Sequence, residues 1–344
     1  MNEITNEEIE RISQKLFGKA VKDIKWLMLT NYVHKALIEN EDCLRTGLYS
    51  WIPVFNGEVK HYSDIIDKSE LKKYDIIHVN LSGQDVHLVG EIREVLGENS
   101  KTKLVINNDY TIELWTASFD YLPTLRREIS GADMVFGTEP NQVGTLETLI
   151  SRHTHLIPHP CFVKRLKTLK PHKIINMASI VSHRYDNHNV LPSLAIKDLG
   201  LGTRLIGYDE SGDRRKFVTT TCYNAVMRVE NYMAFCEQLM ESKVVVDPFT
   251  LTSVSRTGWD CAALGVPLVG SDRNYSVQQC FPRTMVPPYN MKKMREMVKK
   301  LLNDDKFRQE VIEYARNKVE EFGYLKSKEK YFKALEEGSK KVEI

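Results

Sequence analysis

Hydroxyl residues, an arginine and a glycine cluster after one apolar segment in the second half of the chain. The members of this cluster are Ser253, Ser255, Arg256, Thr257 and Gly258. A helical pattern begins within the cluster, so the N–H groups of its first turn and the helix dipole favour an anion there. The guanidinium of Arg256 presents a fork of donors that suits a diphosphate. The pattern predicts a phosphate-binding corner, although Arg256 could equally be a surface arginine.

Asp260 and Arg184 extend this predicted corner. A carboxylate one turn into the helix, such as Asp260, can accept two hydrogen bonds from the hydroxyl groups of a ribose. Asp260 could instead stabilise its own helix near the positive end of the dipole. Arg184 follows another predicted strand and is a second candidate for the diphosphate. Groups that stabilise developing charge usually supply the largest catalytic contribution.

Several common catalytic and cofactor motifs are missing from the sequence. No G-x-G-x-x-G follows a predicted strand, and no G-x-x-x-x-G-K-[ST] occurs. Dinucleotide-binding and P-loop NTPase functions therefore lose their main support. The chain also lacks a G-x-S-x-G nucleophile turn and an H-E-x-x-H zinc motif, which disfavours the corresponding hydrolases.

Short apolar runs alternate with longer helical patterns along the chain, which predicts an α/β protein. The runs are nearly continuously apolar, as expected for parallel strands covered by helices on both faces. The predicted strands are Ile24–Thr30, Asp75–Asn80, Lys103–Asn107, Asp133–Gly137, His155–Pro158, Lys173–Ala178, Thr203–Gly207, Lys243–Val246 and Val266–Gly270. Helices are predicted around Ile12, from Tyr32, over 85–96, 189–199, 224–241 and 258–264, and from Met291 onward.

Prolines interrupt this alternation near the middle of the chain. Because proline breaks helices and ladders, the basic segment 161–172 is predicted to be a linker. The linker divides an N-terminal domain, residues 1–160, from a C-terminal domain, residues 173–308. Each domain is predicted to be a Rossmann-like, doubly wound parallel sheet. Ligands bind beyond the carboxyl ends of such strands, so the cleft between the domains is the expected site.

Composition sets the broad class of the protein. The chain has 344 residues, 42% hydrophobic and 27% charged, with a net charge of +2, so two domains are expected and no general affinity for polyanions. An acidic N-terminus and short apolar runs predict no signal peptide and no membrane span. Six scattered cysteines without a C-x-x-C pair indicate reduced thiols, and the protein is predicted to be cytoplasmic.

Two further groups of side chains, a basic stripe and three histidines, could have either a functional or a purely structural role. A basic stripe could contact membrane phosphates or nucleic acid at a surface, or be a solvated helix face. It consists of Lys292, Lys293, Arg295, Lys299 and Lys300. The histidines His153, His155 and His159 could suggest a metal site. No carboxylate or thiol stands nearby at ligand spacing, so no metal and no other cofactor is expected.

The segment D-C-A-A-L-G-V-P-L-V-G, which starts at Asp260, resembles the C-terminal domain of GT-B glycosyltransferases of the retaining family-4-type group. Their pattern is E-x7-E followed by A-x-A-x-G-x-P-V-V. Asp260 stands at the second acidic position, and Thr252 stands at the first. The family also carries G-R-x(4,5)-K-G, of which Arg184 matches the arginine while D-N-H-N follows in place of the lysine. Arg256 could replace that missing charge.

Other segments resemble the family in the expected order. Y-D-I-I-H-V, which contains His78, resembles the strand D-V-V-H-x-H, and N-N-D, which ends at Asp109, resembles the family's H-D position. A-D-M-V-F-G-T-E and H-L-I-P-H-P resemble the last two strands of the first domain. The resemblance covers roughly residues 24–305. His78 could also be a buried histidine bonded to backbone, and Asp109 a turn residue.

The resemblance implies a GT-B fold, with two facing Rossmann-like domains and a C-terminal helical segment, 309–344, returning to the first domain. It implies a hexosyltransferase that moves a sugar from a nucleoside-diphosphate sugar to a hydroxyl acceptor, without metal and with retention. The acceptor could be a glycan, a lipid-linked molecule or a small molecule. The implied donor-binding residues are Arg184, Ser255, Arg256, Thr257, Gly258 and Asp260. Asp109 and His78 are the candidates for orienting or deprotonating the acceptor.

Two alternatives keep the fold and change the function. Phage DNA-base glucosyltransferases share the GT-B architecture without needing E-x7-E, so a DNA base could be the acceptor. A catalytically silent GT-B scaffold that binds a nucleotide or a partner is the other alternative, favoured by Thr252 and the missing lysine. An epimerase acting on a sugar nucleotide also uses this fold, but its motifs are not evident in the sequence.

Overall fold

A computed structural model of the protein describes residues 5–30, 48–65, 67–81, 88–97, 100–108, 111–115, 121–181, 190–207, 224–228 and 231–340. Its strands are β1 (Trp26–Thr30), β2 (Glu58–His61), β3 (Ile76–Leu81), β4 (Lys103–Asn108), β5 (Met134–Gly137), β6 (His155–Leu156), β7 (Ile175–Val181), β8 (Gly202–Gly207), β9 (Ala225–Arg228), β10 (Ser242–Asp247), β11 (Leu268–Ser271) and β12 (Met285–Val286). Every strand predicted from the sequence overlaps one of these.

The α-helices lie between and after the strands. They are α1 (Glu7–Phe17), α2 (Trp51–Phe55), α3 (Leu88–Leu96), α4 (Ile112–Trp115), α5 (Tyr121–Ile129), α6 (Pro140–Ile150), α7 (Val163–Leu166), α8 (Val190–Ile196), α9 (Tyr232–Met240), α10 (Arg256–Leu264), α11 (Tyr275–Cys280), α12 (Met291–Asn303), α13 (Asp305–Lys318) and α14 (Tyr324–Glu337). In the described part of the chain, no helix is both long and apolar enough to cross a membrane.

The chain divides into two compact units. Unit 1 consists of Met1–Pro160 and Tyr324–Ile344, and unit 2 of Cys161–Gly323. The boundaries differ from the predicted ones at two places. The segment predicted as a linker, 161–172, belongs to unit 2, because Cys161, Val163 and Leu166 in it are buried. The return to unit 1 begins at Tyr324 rather than at residue 309.

Unit 1 is built on a parallel sheet whose strand order is β2-β1-β3-β4-β5-β6 in the described residues. Alternate residues of β1, β3, β4 and β5 enter two different apolar clusters, one on each face of the sheet. One cluster includes buried residues of α1, α2 and α14, and the other includes buried residues of α3, α5 and α6. Helices on both faces explain why the central strands are continuously apolar.

Unit 2 has a second parallel sheet, of strand order β9-β8-β7-β10-β11-β12 in the described residues. In sequence order this is 3-2-1-4-5-6, the order typical of dinucleotide-type doubly wound sheets. The two parallel sheets with their helices confirm the predicted α/β class. The helix predicted over 224–241 is partly wrong, since Ala225–Arg228 pairs with β8 as a strand. The helix in this segment is α9, which begins at Tyr232. Asn231 is its N-cap residue, and the Asn231 side chain accepts a hydrogen bond from the Ala234 N–H.

Ion pairs join the first and last helices of unit 1. Glu336 on α14 accepts hydrogen bonds from Arg11 at 2.9 Å and from Lys15 at 2.7 Å, both on α1. These two cations lower the pKa of Glu336 to about 2. The lowered pKa means that the ionised carboxylate stabilises the folded protein above its unfolded pKa of about 4.3, and that this contribution is lost as pH falls toward about 2.

We therefore expect Glu336→Gln to lower the melting temperature at neutral pH and to have progressively less effect as the pH falls below about 4.3. The pairs are at the surface, so added salt should also reduce the difference. Thermal melts of both proteins across this pH range provide the test. Glu94→Gln, an exposed glutamate on α3, is the control. If Glu336→Gln lowered the melting temperature equally at neutral and acidic pH, the ionised carboxylate of Glu336 would not be the source of the stabilisation.

Candidate functional site

The order in which successive strands are added to the sheet of unit 2 reverses between β7 and β10, which are parallel neighbours. The chain continues from β7 to β8 on one side and from β10 to β11 on the other. The two strands are paired in register, with Val246 opposite Ile180, so their carboxyl ends lie side by side. Doubly wound sheets bind ligands in the crevice at such a point. We therefore take the carboxyl ends of β7 and β10 as the candidate site. Arg184, which follows β7, lies outside the described residues.

A buried carboxylate organises the carboxyl end of β10. Asp247, the last residue of the strand, is fully buried. It accepts hydrogen bonds from the Ser255 hydroxyl at 2.7 Å, the Asn274 amide at 3.0 Å and the Phe249 N–H at 3.3 Å. The Asn274 Oδ1 accepts in turn from the N–H groups of Ser255 at 3.0 Å and Ser276 at 3.2 Å. This network joins the start of α10 to the start of α11.

The start of α10 is not capped in the usual way. Ser255 is the N-cap residue. Its hydroxyl donates to Asp247, and within the described residues its side chain makes no capping hydrogen bond. A cap of this type would satisfy an N–H group of the first helical turn. An uncapped helix N-terminus favours an anionic ligand. Ser255, Thr257 and Gly258, three of the predicted donor-binding residues, are all buried around this turn.

Arg256 is held at the same helix end by two side chains. Its guanidinium lies over the ring of Tyr232, 4.5 Å from the centroid, and it donates to the Tyr232 hydroxyl at 3.1 Å. It also donates from Nε to Asp260 Oδ1, one turn further along α10, at 3.5 Å. The Arg256 side chain is 12% exposed. A cation fixed by stacking and by charge loses less conformational entropy when it binds a ligand.

Asp260 faces these two partners in the structure. It is 1% exposed, and its Oδ1 accepts a hydrogen bond from the Tyr232 hydroxyl at 2.6 Å. Burial raises the pKa of Asp260, while Arg256 and Tyr232 act in the opposite direction. Burial also raises the pKa of Tyr232, so its hydroxyl keeps the proton that it donates. The observed role of Asp260 is to orient Arg256 and Tyr232, and its contact with a ribose stays a prediction.

Gly258 permits the close approach of α10 to α11. A Cβ atom at this position would lie 2.1 Å from the Ser276 Oγ and 3.0 Å from the Ser276 carbonyl carbon. Since the second contact is with backbone, rotation of the serine cannot relieve it. The conformation of the helix start therefore depends on a residue without a side chain.

We expect Gly258→Ala to destabilise the protein by about 1–3 kcal/mol through overpacking. Urea unfolding measures the change in free energy. Gly144→Ala is the matched control, because Gly144 lies within α6 and a Cβ there has nothing within 4 Å. This control should stabilise by about 0.5–1 kcal/mol, as alanine does in an open helix position. Equal effects of the two substitutions would contradict the proposed packing constraint.

The Asp247 network gives a second stability prediction. Asp247→Asn replaces one acceptor oxygen by a donor, and the new amide faces the donors of Ser255 and Asn274. We expect a loss of about 1–3 kcal/mol, the cost of leaving buried polar groups unsatisfied. Urea unfolding again provides the measurement, with Asp272→Asn, at a half-buried position just after β11, as the control. A loss no larger than that of the control would show that the network contributes little.

His78, the histidine predicted to act on an acceptor, lies in the core of unit 1. It is in the middle of β3, opposite Met28 and Val105 of the flanking strands, and it is fully buried. Its Nε2 lies 2.8 Å from the Asn107 Oδ1. The aromatic rings around it are those of Trp26, Trp51, Phe136 and Tyr331. This is the placement of a core histidine. Asp109, the other predicted acceptor residue, lies outside the described residues.

Several polar residues near the carboxyl ends of the strands were not predicted from the sequence. Asp247 and Asn274 are the central pair in unit 2, and Tyr232 holds Arg256. In unit 1, Glu139 follows β5, is buried and caps α6 by accepting from the Gln142 N–H at 2.7 Å. Burial raises the pKa of Glu139. A carboxylate directly after an apolar strand was the available signal for Asp247 and Glu139.

The predicted basic stripe on α12 is partly engaged within unit 2. Arg295 donates to Asp198 at 3.0 Å and to the Ala195 carbonyl at 2.8 Å. The Lys300 ammonium lies 4.0 Å from the centroid of the Phe307 ring. Two of the cations therefore have intramolecular partners, as is typical of a solvated helix face.

Comparisons with known proteins show the fold. No family model matches the sequence, and no curated protein matches it significantly. Solved structures do match. Anabaena HepE in complex with UDP and glucose is similar with a TM-score of 0.70 at 11% identity, over 91% of this chain and 99% of that one. A trehalose-6-phosphate synthase structure, from work on glycosyl transfer with retention, gives 0.65 at 11% identity over 91% and 99%.

A third match is the sucrose-phosphate synthase of Thermosynechococcus elongatus. Its TM-score is 0.58 at 16% identity, over 74% of this chain and 71% of that one. These likenesses confirm the GT-B fold predicted from the sequence. At identities this low they show the fold alone, so the activity has to be argued from the site.

Proposed function

We propose that the protein transfers a glycosyl group from a nucleoside-diphosphate sugar to a hydroxyl acceptor. The observation that carries this proposal is the start of α10, where an uncapped helix N-terminus and a fixed arginine meet at the switch point of unit 2. Both features favour a diphosphate. The fold supports the proposal, since HepE, a structure of similar fold, is in complex with UDP and glucose.

In this proposal unit 2 binds the nucleotide. The diphosphate lies at the N-terminus of α10, close to Ser255, Thr257 and Gly258, and Arg256 neutralises its charge. Arg184 acts from the segment after β7, whose carboxyl end is adjacent to that of β10. Asp260 keeps Arg256 oriented through the contacts described above. Binding a ribose as well would use the second carboxylate oxygen of Asp260, since Oδ1 accepts from both Tyr232 and Arg256.

The reaction breaks the bond between the anomeric carbon and the diphosphate and forms a bond from that carbon to the acceptor oxygen, while the hydroxyl proton is released. Arginines, rather than a metal ion, stabilise the charge that develops on the leaving diphosphate. We propose retention of configuration, in line with the sequence resemblance. Unit 1 supplies the acceptor-binding groups, for which Asp109 remains the candidate.

Nucleotide binding by Arg256→Ala tests the proposal most directly. We expect UDP and UDP-glucose to bind the wild-type protein, and saturation at about 100 times the dissociation constant to stabilise it by roughly 2.7 kcal/mol. Loss of hydrogen bonds from a charged donor costs about 1.5–3 kcal/mol, so Arg256→Ala should bind roughly 10- to 100-fold more weakly. Calorimetric titration measures the affinity. Lys299→Ala, which removes an exposed cation of α12, should bind like the wild type.

Three outcomes separate the proposal from its alternatives. If no nucleoside diphosphate or nucleotide sugar from a broad panel binds, the proposal is wrong. Binding without sugar release or transfer would favour the silent scaffold, which the threonine at position 252 already suggests. A salt-dependent shift of duplex DNA together with sugar transfer to it would identify a base as the acceptor.

A further inference from the structure

Two histidines and a glutamate of unit 1 come together on its surface. They are His155, the first residue of β6, His153, two residues before it, and Glu337, the last residue of α14. One potential ligand atom of each residue lies within 4.8 Å of those of the other two. The imidazole rings are 4.6 Å apart and nearly perpendicular. The sequence could not show this cluster, because its carboxylate comes from the far end of the chain.

The hydrogen bonds of His155 leave one ring nitrogen directed at the cluster. Its Nε2 lies 3.2 Å from the Gly338 carbonyl oxygen. A carbonyl can only accept, so Nε2 carries the proton and Nδ1 keeps its lone pair. That Nδ1 is 3.8 Å from the Glu337 Oε2.

His153 is held in a corresponding way by a carboxylate. Its Nδ1 lies 2.7 Å from the Glu147 Oε1 on α6, so Nδ1 donates and Nε2 keeps the lone pair. The Thr154 N–H donates to the same Glu147 oxygen at 3.0 Å and fixes the carboxylate. Histidines that bind metals usually donate their second N–H to a carboxylate or a backbone carbonyl. Both histidines of the cluster show this arrangement.

We propose that His153, His155 and Glu337 bind a divalent transition-metal ion, with zinc as the best match. Two imidazoles and one carboxylate, with water in the fourth position, form a common zinc donor set. Zinc–nitrogen bonds of about 2.0–2.1 Å require the ligand atoms to move closer together than 4.8 Å. His153 and Glu337 are exposed by 48% and 61%, so their side chains can rotate to close the site.

A metal at this place would connect the sheet of unit 1 to its returning helix. The residues that follow Glu337 already bind the sheet edge, since the Ser339 N–H donates to the Asp133 carbonyl at 3.1 Å and the Ser339 hydroxyl accepts from the Val135 N–H at 3.0 Å. The ion would reinforce the same attachment. This role is structural and does not depend on the proposed transfer reaction.

Calorimetric titration of the chelator-treated full-length protein with Zn²⁺ tests the site. We expect one ion per chain in the wild type. His153→Ala and Glu337→Gln should each weaken binding at least tenfold, and Glu147→Gln, which removes the outer partner, should weaken it about 10- to 100-fold. His172→Ala, an exposed histidine of unit 2, is the control and should bind like the wild type. All four substitutions are at exposed or half-buried positions.

A second measurement reports the geometry. Co²⁺ bound by nitrogen and oxygen ligands in a four-coordinate site gives intense visible absorption, so the spectrum should appear with the wild type and the control but not with His153→Ala. Zn²⁺ should also raise the melting temperatures of the wild type and of His172→Ala, but not that of His153→Ala. The proposal is overturned if the wild type binds no Zn²⁺, or if His153→Ala and Glu337→Gln bind it as tightly as the wild type.

Discussion

A negative charge is buried at the carboxyl end of β10, and the surrounding loops are arranged to satisfy it. An ionised carboxylate is expensive to remove from water unless charges or hydrogen bonds compensate it. Asp247 obtains this compensation from Ser255 and Asn274, residues that precede two different helices. The positions of α10 and α11 therefore depend on a single side chain. In the same arrangement the Ser255 hydroxyl donates to Asp247, and within the described residues it makes no capping hydrogen bond to α10.

The contacts of Arg256 show how the protein preorganises a cation in the absence of a bound anion. The guanidinium is stacked on Tyr232 and paired with Asp260, and these contacts restrict its motion along two directions. The Asp260 carboxylate carries its own desolvation cost, which its two partners offset. A preorganised charge of this kind is favourable in catalysis because it needs little rearrangement when charge develops on a leaving group.

Much of the fold follows from the sequence, and the exceptions have identifiable causes. Central strands such as β3 and β10 are apolar on both faces, so a continuous hydrophobic run marks them. The edge strand β2, E-V-K-H, is half-exposed and carries no such mark. The pattern of β9, A-V-M-R, has neither clear alternation nor a terminal glycine, so it does not distinguish a strand from the start of the predicted helix. In each case the strand is defined by its neighbour in the sheet rather than by its own pattern.

The candidate site was predictable only where its residues are close in sequence. The cluster from Ser255 to Asp260 forms one helix start, so local pattern was sufficient to find it. Asn274 lies 27 residues after Asp247, its partner in the site. Tyr232 lies 28 residues before its partner Asp260. No local sequence pattern connects either residue to the site. His78 shows the opposite case. A histidine in an apolar strand has the same sequence pattern whether it serves a reaction or fills a core, and only the rings around it distinguish the two.

The division of unit 1 between the two ends of the chain has a consequence for biosynthesis. Tyr331, Phe332 and Leu335 of α14 belong to one of its two apolar clusters, yet they follow the whole of unit 2 in the chain and leave the ribosome after it. Unit 2 is a continuous segment, so all of its residues are available earlier. During translation the nascent first unit lacks the part of this cluster that α14 supplies, and incompletely covered apolar surface is the condition under which chains aggregate or need chaperones. Unit 1, whose N-terminal segment is synthesised first, is thus completed only after all of unit 2 has been synthesised.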